Sequence, residues 1–102
     1  MKVIRKKPGE APEICEVENT LEALQKEVGG YIQAVQFSTD CAIICNEEGK
    51  LIPLRPNLAF CGDVLFGTIL VVGVDGEEFC SLDQTVAETL LNWMGVRKTW
   101  RS

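Results

Sequence analysis

Residues Cys41-Ala42-Ile43-Ile44-Cys45 constrain this chain more than any other stretch, because all five are apolar. A strand with one wet face alternates apolar and polar residues, whereas a run that is apolar on both faces needs cover on both. This run is therefore expected to be a central, fully buried strand. The rest of the chain must supply its cover. A chain of 102 residues fits one domain, 1–102, and is long enough to build that core without metals or disulfides.

The flanking punctuation predicts an α+β fold. It should hold an antiparallel-rich mixed sheet of six to seven short strands with two helices, in the order ββαββββ…α. Lys2 to Lys6 and Glu13 to Glu18 read as strands joined through the turn-forming Pro8-Gly9-Glu10-Ala11-Pro12. Asn19 with Glu22 resembles a capping box. Leu21, Leu24 and Val28 make the apolar stripe of the helix that follows, and Gly29-Gly30 stops it. Tyr31 to Phe37 is the next strand. After the buried run, Asn46-Glu47-Glu48-Gly49-Lys50 reads as a hairpin turn, returning through Leu51 to Leu54, where Pro53 suits an edge position.

Pro56 to Gly62 reads as loop. Asp63 to Asp75 is the longest β-type run, with a bend or bulge expected at Gly67. Asp75-Gly76 turns the chain into a short strand from Glu77 to Cys80. A second capping box, Ser81 with Gln84, opens the last helix. Leu82, Val86, Leu90, Trp93 and Met94 should form its buried stripe, and Gly95 should end it.

Charge is unevenly placed. The net charge is −5, yet between Pro8 and Val96 only three cations (Lys26, Lys50, Arg55) oppose fifteen carboxylates, a net of −12. Lys2, Arg5, Lys6 and Lys7 open the chain, and Arg97, Lys98 and Arg101 close it. Phosphates would be repelled by such a body, which disfavours nucleic acid as a partner, although Trp100 within the basic tail could stack on bases. No apolar run reaches the roughly 18 residues needed to span a bilayer, and none follows the N-terminal cations as in a signal peptide. A cytoplasmic protein without membrane association is expected.

Catalytic and metal signatures are missing. Histidine is absent, and the five cysteines (Cys15, Cys41, Cys45, Cys61, Cys80) show no C-x-x-C pair. Buried free thiols are the simplest reading. A serine or cysteine nucleophile would lack its usual base, and phosphate-loop spacings are not found. No cofactor, metal or catalytic residue is expected.

Several segments carry a resemblance when taken together. Asn19-Thr20-Leu21-Glu22-Ala23-Leu24-Gln25, Val28-Gly29-Gly30-Tyr31-Ile32, Cys45-Asn46-Glu47-Glu48-Gly49-Lys50-Leu51 and Gly67-Thr68-Ile69-Leu70-Val71-Val72-Gly73 occur in this order. Over roughly residues 1–82 the chain resembles the domain of unknown function numbered 3846, found in bacteria, phages and other mobile elements. The resemblance implies a small accessory protein acting inside an infected cell. Such proteins often bind and inhibit host defence components.

Candidate ligand- or partner-binding residues are Gly30, Tyr31, Asn46, Glu47, Arg55, Asn57 and Asp63. Glycine and tyrosine after a helix could bring backbone amides and a ring to a ligand. Glu47 with Glu48 offers paired carboxylates at a turn. Arg55, Asn57 and Asp63 lie in or beside the longest irregular segment, where binding residues commonly sit. The expected function is non-enzymatic binding, with a host protein or a small nucleotide as partner. A protein would be blocked through the acidic face; a nucleotide would be held between subunits by Arg55, Asn57 and Tyr31. The alternatives are an assembly role as a homodimer, through sheet edges and Trp93 with Trp100, or an enzyme of unfamiliar type.

Overall fold

The computed structural model describes residues 1–49, 51, 54–60 and 62–96. Eight strands and two helices follow in the order β1 (Lys2–Lys6), β2 (Glu13–Glu16), α1 (Leu21–Val28), β3 (Ile32–Gln36), β4 (Cys41–Asn46), β5 (Pro56–Phe60), β6 (Asp63–Phe66), β7 (Ile69–Asp75), β8 (Glu78–Cys80) and α2 (Gln84–Val96). The main sheet runs β2-β1-β7-β4-β3, with β8 paired to β7. Gly73 pairs with both Cys41 and Cys80, so β8 lies on the same side of β7 as β1 does. Every pairing is antiparallel, so the sheet is not mixed. β5 and β6 form a separate two-stranded sheet.

All six residues of β4 are buried, as an apolar run on both faces requires. Two clusters lie against the two faces. On one, Val3, Ala42, Ile44, Leu70 and Val72 meet Leu24 and Val28 of α1. On the other, Ile4, Ile43, Ile69 and Val71 meet Leu82, Ala87 and Met94 at and within α2. Leu58 of β5 and Leu65 of β6 join this second cluster. Alternation along β1, β4 and β7 therefore feeds two cores from one sheet.

Several boundaries differ from expectation. Thr20, not Asn19, caps α1: its Oγ1 accepts from Ala23 N at 3.2 Å, while Asn19 Nδ2 donates to Phe79 O. Leu21 is 58% exposed and leaves the stripe to Leu24 and Val28. β2 ends at Glu16 rather than Glu18. For α2, Asp83 Oδ2 accepts from Thr85 N and Val86 N, and Ser81 Oγ instead accepts from Lys2 N. Trp93 sits on the exposed side of α2, which continues through Gly95 to Val96.

The segment after β4 departs furthest from expectation. Gly49 N donates to Asn46 O and Leu51 N to Glu48 O, so the turn forms. Leu51 nevertheless belongs to the turn and Leu54 is irregular, so they do not make the expected return strand; Lys50 and Pro53 lie outside the described residues. The strand is β5, in the stretch expected to be loop, and it pairs with β6 across a register shift between Pro56 and Leu58. Gly67, at φ 76°, breaks the long β run into β6 and β7. The basic tail with Trp100 lies outside the described residues.

Candidate functional site

β1 alternates toward the α2-side core at Ile4, and Lys6 stands two residues further on the same face. Its side chain is consequently fully buried. Lys6 Nζ donates to Asn57 Oδ1 at 2.9 Å and to Lys7 O at 3.4 Å. Among the described residues it has no carboxylate at ion-pair distance. Burial pushes its pKa below the ordinary lysine value, with Glu10 acting in the opposite direction. Asn57 is equally buried, and its Nδ2 donates to Lys6 O and Gly67 O, both at 2.8 Å. Both polar atoms of the Asn57 side chain are thus committed inside the protein. Asn57 stitches β1 and β5 to the bend before β7 and is not presented to a ligand.

Outside this lock lies a cleft of about 460 Å³, lined by Lys7, Pro8, Glu10, Lys26, Glu27, Val28, Gly29, Leu54, Arg55, Gly67 and Thr68. It gathers four segments: the turn after β1, the end of α1, the segment leading into β5 and the bend between β6 and β7. Arg55 is positioned by Gly67 N donating to Arg55 O at 2.8 Å, and its guanidinium extends toward Gly9. Three exposed cations, Lys7, Lys26 and Arg55, face this space and make no ion pair among the described residues. Glu27 does not neutralise them, since Arg5 Nε and Nη2 hold it in a two-point pair at 3.0 and 2.5 Å. That bond to Glu27 is the main cause of a raised Arg5 pKa. Of the six cationic side chains among the described residues, only Lys2 stands apart from this corner.

The other sequence candidates fall elsewhere. Asn46 Nδ2 donates to Val28 O at 3.1 Å, and its Oδ1 accepts from Glu48 N at 2.8 Å. Asn46 thereby ties the end of α1 to the turn after β4. Gly30 is needed beside it, because a Cβ there would lie 2.8 Å from Asn46 Nδ2. Glu47 N extends the β3–β4 ladder to Tyr31 O at 2.8 Å, and the Tyr31 side chain is 67% exposed, not part of a core. Glu47 and Asp63 share a second cleft of about 380 Å³ with Gln33, Cys45, Leu51 and Phe66. Arg55, Asn57 and Tyr31 therefore do not converge within one subunit: Arg55 lines the cationic cleft, Asn57 is internal, and Tyr31 is in neither lining.

Thiol chemistry finds little support in the surroundings. Burial raises the pKa of Cys45, and raises that of Cys15 against the opposing charge of Arg5, so both stay protonated thiols near neutral pH. Among the described residues no three Cys, Asp or Glu side chains converge as metal ligands. No helix among the described residues is long and apolar enough to cross a membrane.

The family model for the domain of unknown function DUF3846 matches residues 1–94. The chain belongs to the DUF3846 family. The match extends beyond the expected limit near residue 82 and takes in most of α2. It thus covers the whole sheet, both helical covers of the cores and the cationic corner. No curated protein and no solved structure matches the chain. Sequence reasoning missed Lys7 and Lys26 as partners of Arg55, because nothing in their spacing shows that the turn after β1 and the last turn of α1 meet. The burial of Lys6, in contrast, was signalled by its phase with Ile4.

Proposed function

We propose that this DUF3846 protein is a non-enzymatic binding protein of phage or mobile-element origin that inhibits a host component by sequestering a small anionic ligand of the nucleotide class. The observation that supports this reading is the cationic cleft. Three exposed cations that make no ion pair among the described residues converge there, beside the carboxylates of Glu10 and the Arg5-held Glu27, in a protein of net charge −5. Lys6 adds a buried charge behind Lys7, solvated only by neutral oxygens. Clustering like charges is unfavourable unless a counter-ion relieves it, and a phosphate-bearing ligand would do so. Arg55 supplies the planar fork that suits a phosphate, and Lys7 and Lys26 supply point charges.

Native mass spectrometry of the protein purified from its host should show a retained anionic ligand, and titration calorimetry with nucleoside triphosphates and cyclic dinucleotides should show binding. One charge-assisted contact contributes about 1.5–3 kcal/mol, so Arg55→Ala should weaken binding roughly tenfold to a hundredfold. Equal affinity in wild type and Arg55→Ala, or no binding by any of these probes, would exclude the cleft as the site.

A second reading has its own support. A groove of about 600 Å³ beside α1 is lined by Glu16, Glu18, Glu22 and Glu27 with Lys26. Such a surface suits a basic patch on a host protein that otherwise holds nucleic acid. Capture of that partner would weaken steeply with salt and with Glu18→Lys, but not with Arg55→Ala.

A further inference from the structure

The five-strand path of the main sheet ends in two edge strands, β2 and β3, which differ in kind, while the short β8 pairs only with β7. β2 reads Glu-Ile-Cys-Glu and carries charge at both ends. β3 reads Ile-Gln-Ala-Val-Gln, with no charge, no proline and no register shift in its pairing. Soluble proteins usually protect an edge with such devices. Among the described residues, no strand lies against the outer side of β3.

The hydrogen-bond phase shows what that edge presents. Glu47 N donates to Tyr31 O, and Phe37 N donates to Cys41 O. In an antiparallel ladder the bonded pairs alternate, so Tyr31, Gln33, Val35 and Phe37 face β4 with their backbone groups. The amides and carbonyls of Ile32, Ala34 and Gln36 therefore point outward, with Ala34 at the centre.

We propose that β3 pairs antiparallel with β3 of a second copy, about a two-fold axis at Ala34, joining the two main sheets into one. The strand is suited to its own reversal. Ala34 meets Ala34, Ile32 meets Gln36, and Gln33 meets Val35, so no like charges oppose one another across the axis. The same register sets the exposed Tyr31 of each copy opposite Phe37 of the other, on the α2 side of the sheet. Aromatic cross-strand pairs at both ends make the interface wider than the strand alone. A symmetric contact of this kind closes on itself, which stops the edge from recruiting further chains.

Sedimentation equilibrium of the full chain tests the pairing. Wild type should sediment as a dimer in the micromolar range. Ala34 is exposed, so Ala34→Lys and Ala34→Glu should each fold but sediment as monomers, with like charges opposed at the axis. Mixed in equal amounts, the two variants should recover the dimer. Ala34→Pro removes an outward amide and leaves the β4 ladder intact, and should weaken association at least tenfold. A monomeric wild type at the highest soluble concentration, or Ala34→Lys dimerising as tightly as wild type, would overturn the proposal. So would failure of the mixed variants to associate.

Discussion

Removing the Asn57 side chain takes the Asn57 donor from Lys6 O and Gly67 O and leaves Lys6 Nζ only its long bond to Lys7 O. Each orphaned buried group costs about 1–3 kcal/mol, so Asn57→Ala should lose roughly 3–5 kcal/mol, a large part of the ~5–15 kcal/mol that holds a small domain folded. Asn57→Asp keeps an acceptor for Lys6 and places a negative charge opposite it, but loses both donors. Its urea midpoint should fall between those of wild type and Asn57→Ala. Lys6 itself gives a pH signature. Its folded pKa lies below the ordinary 10.5. In the window between them the unfolded chain holds more protons than the folded one, so stability rises with pH. Relative to Lys6→Met, wild type should therefore gain stability on titration up through that alkaline window. A constant difference between the two proteins would show that the ammonium is not desolvated.

Among the elements, α1 tests the capping assignment. Thr20→Ala should cost about 1 kcal/mol through the lost cap, and Asn19→Ala, which breaks only an exposed bond to Phe79 O, should cost less by thermal melting. Gly73 tests the crowded junction of β4, β7 and β8. A Cβ there would lie 2.6 Å from Ser81 O and 3.0 Å from Cys80 O, both backbone atoms that cannot swing aside. Gly73→Ala should destabilise by about 1–3 kcal/mol or more. The elements that could be read from sequence were those with a period and a stop: β1, β3, β4, both helices and the break at Gly67. Caps slipped by one or two residues because Asn19-Thr20 and Ser81-Leu82-Asp83 each offer more than one acceptor. β5 was hidden because Pro56, Asn57 and Gly62 have loop composition, while its strand geometry comes from pairing with β6 and from the Asn57 lock. Arg55 could be singled out as an unusual cation. Its companions Lys7 and Lys26 are brought to it only by tertiary packing.

At the scale of the whole molecule, the two sheets should differ in local stability. β4 and β7 are paired on both sides and buried, whereas β5 and β6 pair only with each other. Hydrogen exchange should find the slowest amides in β4 and β7 and faster exchange in β5 and β6. Uniform protection would mean that the small sheet unfolds only with the large one. The position of β7 also bears on how the chain is made. β7 lies between β1 and β4, so Ile4 and Ile43 both wait for Val71. On a ribosome adding roughly 5–20 residues per second, the first strand emerges several seconds before its partner. Until β7 is made, the edges of β1 and β4 that it pairs with have no native partner strand. Synthesis speed across residues 47–75, more than the strength of any single contact, then sets how long the nascent protein is open to mispairing.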